Sequence, residues 1–146
     1  MALTFGCAYI KVKDMKRSTA FYTALLEREP QGPCPERWAS FPGVPISLYS
    51  LEYDLELLQN APHPEEHFSR AYREHVGRER RGTGRVVFNF SVPDLAVEYE
   101  RLRALDIGPM SPVYYVNVTF PYWYFTIQDP DGNEIEIEGN YSLPIE

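Results

Sequence analysis

Two glutamates stand eighty residues apart in matching surroundings, Glu56 inside LELL (55–58) and Glu136 inside IEIE (135–138). Read with a strand's two-residue period, each projects away from its apolar neighbours toward an open sheet face. A carboxylate there could accept hydrogen bonds, attract a cationic group, or act as a general base on a proton next to a carbonyl. In CAYIKV (7–12), Cys7, Tyr9 and Lys11 share one face, while Ala8, Ile10 and Val12 form the face that suits packing on a helix. In VVFNFSV (86–92), Asn89 likewise points away from Phe88 and Phe90. The aromatic run YYVNVTFPYWYF (114–125) places Tyr122 and Tyr124 on the open face if Phe125 and Ile127 point inward with Trp123. Trp38 and Tyr49 could add rings from the earlier strands. Aromatic rings beyond the needs of a core suit the stacking of a flat organic ligand, or a dimer interface.

Other acidic and histidine motifs carry less. DPDGN (129–133) has its glycine fourth, whereas a calcium-binding EF-hand loop needs glycine at position six and glutamate at twelve. An Asp-Gly pair between alternating strands is a hairpin signal instead. His63 and His67 in HPEEH are four apart, but Pro64 follows the first and no third ligand is evident, so exposed or capping histidines are expected. Cys7 and Cys34 match no zinc or CxxC spacing. No Ser-His-Asp, Cys-His or phosphate-cradling glycine motif is present.

These residues must be held by a repeated framework. AYIKVKDMKRSTAFYTALLERE (8–29) and FNFSVPDLAVEYERLRALDIG (88–108) share a design of strand, aspartate and amphipathic helix. Asp14 and Asp94 sit at the boundaries, where a carboxylate can accept from the first free helix amides. The same offset of eighty relates Leu25 to Leu105 and Glu56 to Glu136. The pattern predicts an α+β fold of duplicated βαβββ modules, forming a curved mixed sheet around a concave cavity. It predicts one domain: a first module over about 1–60, a helical linker over 61–84, and a second module over 85–146. Strands are expected at about 5–12, 37–41, 45–51, 53–59, 85–92, 111–118, 121–128 and 133–139. Helices are expected at about 15–27, 64–80 and 94–106. The linker helix would carry a stripe of Phe68, Tyr72 and Val76.

Bulk composition agrees with a globular domain. The chain has 146 residues, 44% hydrophobic and 24% charged, and its 13 prolines point to many turns. A net charge of −7 repels a nucleic-acid backbone and mildly favours a cationic ligand. No apolar run approaches the ~18 residues of a membrane span, and the first residues lack the pattern of a signal peptide. A cytoplasmic location is the expectation.

The segments YIKVKDMKRSTAFYTALLE (9–27), FSVPDLAVEYERLRALDI (90–107) and YFTIQDPDGNEIEIEG (124–139) resemble the vicinal oxygen chelate superfamily. That group holds glyoxalase I, extradiol dioxygenases and the bleomycin- and fosfomycin-resistance proteins. The resemblance implies four metal-ligand positions, two per module, which fall on Cys7, Glu56, Val87 and Glu136. Both glutamates match, valine cannot coordinate, and Cys7 would be an unusual ligand there. The resemblance also implies a basic residue at Lys11 that meets an anionic substrate, and a homodimer. The resulting expectation is a protein that binds a small organic molecule in an aromatic, acidic cavity without a cofactor, related in design to the bleomycin-resistance type. The alternative is a lyase or isomerase with Glu136 or Glu56 as general base. It could use a divalent metal held by Glu56, Glu136 and Cys7. A degenerate module serving only as an interaction partner is a third possibility.

Overall fold

A computed structural model describes residues 8–76, 87–117 and 121–143. The fold is α+β, with two mixed sheets in two compact units, Met1–Gly82 and Thr83–Glu146.

The first unit runs β1 (Ala8–Val12), α1 (Met15–Leu26), β2 (Trp38–Phe41), β3 (Val44–Ser50) and α2 (Leu51–Asn60). A 3-10 turn at Pro64–Glu66 and α3 (Arg70–Val76) follow. Its sheet has the order β1-β3-β2, with β1 parallel and β2 antiparallel to β3. Helix α1 buries Ser18, Phe21, Tyr22 and Leu25, a stripe at helical spacing. The sheet face with Ile10, Val12, Ile46 and Leu48 is equally buried.

The second unit runs β4 (Phe88–Asp94), α4 (Leu95–Leu105), β5 (Tyr114–Asn117), β6 (Pro121–Gln128) and β7 (Glu134–Asn140). The order is β4-β7-β6-β5, with β4 parallel to β7 and the other pairs antiparallel. Phe125, Ile127, Ile135 and Ile137 form the buried face, and Tyr99 of α4 meets Phe125 edge-on at 4.9 Å.

The duplicated caps are present. Asp14 accepts from the Arg17 amide at 3.1 Å and Asp94 from the Val97 amide at 3.2 Å. Both helices also end on a left-handed, non-glycine residue, Glu27 at φ 55° and Asp106 at φ 49°. Replacing either cap aspartate by alanine is expected to cost about 1 kcal/mol in urea denaturation. Leu25 and Leu105 lie on α1 and α4 as the offset places them, although Leu25 is buried and Leu105 exposed.

The larger departure is at residues 51–60. The strand expected at 53–59 is helix α2, so the first unit is βαββα while the second keeps βαβββ. LEYDLELL satisfies two periods at once: Leu55 and Leu57 fit a strand, whereas Leu51, Leu55 and Leu58 fit a helix. Ser50 decides between them. Its hydroxyl accepts from the Tyr53 amide at 3.2 Å, and Glu52 and Asp54 sit in the first turn, where acid complements the helix dipole.

The expected linker helix over 64–80 is also interrupted. Pro64 opens the 3-10 turn, and α3 starts only at Arg70, so Phe68 precedes it. The remainder of that helix, and the side chains of Tyr72 and Val76, lie outside the described residues.

Candidate ligand-binding surfaces

Each unit presents a sheet face opposite its core helix, and the two faces differ in chemistry. On the first, Lys11 lies opposite Tyr49, and Tyr49 opposite Trp38. The rings of Tyr9 and Trp38 are 4.9 Å apart, and Tyr9 meets Tyr49 edge-on at 6.1 Å. Four of the expected site residues are thus brought onto one surface. Tyr9 is 48% exposed, whereas Tyr49 is buried against α2 together with Leu51, Leu55, Leu58 and Trp38.

Helix α2 is fixed there by a part-buried ion pair. Asp54 is 0% exposed and receives Arg37 Nε at 2.6 Å, Arg37 Nη2 at 2.9 Å and the Tyr49 hydroxyl at 2.7 Å. The Arg37 guanidinium also lies 5.5 Å from the centre of the Tyr49 ring. Neither Arg37 nor Asp54 was a site candidate on sequence grounds; a strand reading of 53–59 places Asp54 on an open face, whereas it is fully buried. The helical spacing Leu51–Asp54–Leu55–Leu58 was the available signal.

Glu56 is corrected by the same change. It stands exposed on α2, not on a closing strand paired with that of Glu136. There it lines a cleft of about 490 Å³ with Lys13, Arg17, Glu36, Glu52 and Tyr53. At this edge a hydrogen bond to the Cys34 side chain raises the Tyr53 phenol above its ordinary pKa of 10.0.

On the second unit, parity holds among the described side chains of the sheet. Asn89 lies opposite Glu136, and Glu136 opposite Thr126. One step along, Ser91, Glu138, Tyr124 and Tyr114 form a row across the four strands. Asn89 donates to Glu136 at 2.9 Å and Ser91 to Glu138 at 2.6 Å. The Tyr114 and Tyr124 rings are 5.3 Å apart. Among the described residues neither carboxylate has a cationic partner. Ser91, Glu138 and Tyr114 were not named as site residues on sequence grounds, although the strand parity that placed Glu136 and Asn89 on this face also reaches Ser91 and Glu138. Val87 is exposed just ahead of β4. Tyr122 lies in β6, but its side chain, like all of Cys7, is outside the described residues. Trp123 keeps the Phe125 face and lines a separate cleft of about 470 Å³ with Tyr115, Tyr141 and Leu143.

DPDGN is turn chemistry. Asp129, 4% exposed, accepts from the Asp131 amide at 2.9 Å, the Asn133 amide at 2.8 Å and Asn133 Nδ2 at 2.9 Å. Gly132 takes φ 81° at the corner. His63 and His67 are exposed, with His63 Nδ1 at 3.3 Å from Glu65.

Of the four positions that the chelate pattern implies, the three described ones do not assemble a metal-ligand set. Glu136 is on its strand, Val87 offers no donor, and Glu56 is exposed on a helix. Among the described residues no three histidine, cysteine or acidic side chains gather. No helix among them is long and apolar enough to cross a membrane.

Two units, each with its helix on one sheet face and a polar or aromatic surface on the other, define an α+β fold class of paired sheet-and-helix modules. Within it, this chain belongs to the glyoxalase/bleomycin resistance protein/dioxygenase superfamily, whose family model matches residues 5–137. The fold is similar to that of a lactoylglutathione lyase from Agrobacterium tumefaciens (18% identity, TM-score 0.61, 95% of each chain covered). It is also similar to a glyoxalase/bleomycin resistance protein/dioxygenase from Nocardioides (18% identity, TM-score 0.62, covering 100% of this chain and 91% of that one). A glyoxalase-related enzyme from Fulvimarina pelagi gives 18% identity and a TM-score of 0.59, covering 99% and 94%. No curated protein matches the sequence.

Proposed function

We propose that this superfamily member binds a small, flat organic cation without a metal ion. The observation that carries the reading is the pair of carboxylates on one open face of β7. Among the described residues, Glu136 and Glu138 each accept from one neutral donor on β4, beside the Tyr114–Tyr124 ring pair. A carboxylate has about four lone-pair sites, so each keeps capacity for a ligand's ammonium group. The adjoining rings offer stacking area at little entropic cost. On the first unit, Tyr9 and Trp38 form a second aromatic surface that takes a flat ring system. Sequestration of this kind needs affinity alone, so the departures at Val87 and Glu56 cost it nothing. A cytoplasmic homodimer belongs to the same reading.

Titration with an acridinium dye, followed by dye fluorescence, tests this. Binding is expected to survive dialysis against EDTA. It should weaken by about tenfold or more when Glu136→Gln and Glu138→Gln are combined, since a charge-assisted hydrogen bond contributes about 1.5–3 kcal/mol. Stoichiometric metal in the purified protein, or equal affinity for an uncharged dye of the same shape, would sink the reading.

Glu136 also supports a second reading. The Asn89 amide orients one of its oxygens at 2.9 Å and leaves the other to face a substrate, as a general base for a lyase or isomerase requires. Loss of turnover in Glu136→Gln with ligand binding intact would favour that enzyme over sequestration.

A further inference from the structure

Arg37 immediately precedes Trp38, and Tyr49 is Trp38's partner across the β2–β3 pair. The Arg37 carbonyl accepts from the Ser50 amide at 2.8 Å, so the start of β2 is tied to the residue that caps α2. One turn further, Asp54 gathers both the Arg37 fork and the Tyr49 hydroxyl. The Tyr49 ring is therefore held at its tip by Asp54, has the guanidinium 5.5 Å from its centre, and is packed along its body by α2. It lies 6.2 Å from Trp38 and 6.1 Å from Tyr9, the two rings that remain accessible.

An ion pair with a buried partner is a poor source of net stability, because desolvation offsets much of the attraction. Its strength is orientation: a bidentate arginine–carboxylate pair fixes direction as well as distance. We propose that Arg37 and Asp54 are positioning residues, which set the Tyr49 ring and through it the Tyr9–Trp38 surface on which a flat ligand stacks. The inference rests on the ligand-binding reading above, and goes beyond it by assigning specificity to a pair that touches no ligand. Helix α2 is then the element that shapes this surface, in the place where a fourth strand was expected.

The test uses a Trp123→Phe background, which leaves Trp38 as the sole tryptophan. Two readouts are taken well below the melting temperature: Trp38 fluorescence anisotropy, and affinity for the acridinium dye from Trp38 quenching. Tyr49→Phe removes only the hydroxyl bond and keeps the ring; Asp54→Asn keeps the shape and removes the charge. Both are expected to lower Trp38 anisotropy and weaken dye binding, by about fivefold for the single lost hydrogen bond in Tyr49→Phe. Helix content by circular dichroism should be unchanged. Trp38→Ala, followed by dye fluorescence, is the control for the surface itself. If Trp38→Ala leaves affinity unaltered, the stacking surface is wrong, and with it the ligand role assigned to the pair. If Trp38→Ala weakens binding while Tyr49→Phe and Asp54→Asn change only the melting temperature, the pair is merely structural and the proposal is overturned. If the dye does not bind at all, the ligand-binding reading fails. A fall in Trp38 anisotropy in both variants would then still uphold the positioning of the ring, and its absence would overturn that too.

Discussion

Asp54→Ala is expected to destabilise the first unit by about 3 kcal/mol, near the lower end of the range for removing one partner of a buried ion pair. Asp54 is fully buried, and its loss leaves the Tyr49 hydroxyl without its 2.7 Å acceptor. The Arg37 side chain is 39% exposed and can recover some hydration, which keeps the cost from the upper end. Urea denaturation of the full chain, followed by Trp38 fluorescence in the Trp123→Phe background, measures it. Tyr49→Phe should cost about 1 kcal/mol by the same method, since the hydroxyl bond to Asp54 is lost. Equal stability of Asp54→Ala and the parent would mean that the ion pair is not formed in solution.

Gly139→Ala is expected to disrupt the second sheet where β7 crosses β4. A Cβ at Gly139 would stand 2.4 Å from the Val92 carbonyl oxygen and 3.1 Å from Val92 Cγ2. The first obstacle is backbone and cannot rotate away. Gly139 pairs with Val92 next to a register shift between Val92 and Asp94, so the strands approach closely just before the cap of α4. Separating them should cost about 1–3 kcal/mol, the usual range for overpacking. The neighbouring Ser91–Glu138 bond would lengthen with them. A melting curve reads the first effect, and weakened dye binding reads the second. An unchanged melting temperature would show that the two strands separate more widely in solution.

Much of the second unit was legible because a strand's two-residue period leaves little freedom once one face is apolar. Phe125, Ile127, Ile135 and Ile137 fixed the inward face, and Asn89, Glu136 and Tyr124 followed onto the other. The caps at Asp14 and Asp94 were equally readable, since capping depends on neighbours only three residues away. The first unit was harder. LEYDLELL carries helical and strand periods together, and the offset of eighty argued for the strand. Ser50 and the acidic first turn, both local signals, argued correctly for the helix. The Arg37–Asp54 bond joins residues 17 apart across a β-hairpin and a helix turn. No spacing rule could reveal it before α2 had been placed.

The substitution of a helix for a strand leaves the two halves with different tolerance to mutation. In β7, orientation is distributed: pleat parity and the ladders to β4 and β6 each hold Glu136 outward, so no single side chain decides it. In α2, orientation is concentrated: one carboxylate joins the helix to the start of β2 and to the ring beneath it. Away from the close approach at Gly139, the second half is therefore redundant and can drift at individual side chains without losing its face. The first half is brittle, since a single change at Asp54 removes the bonds to both Arg37 and the Tyr49 hydroxyl.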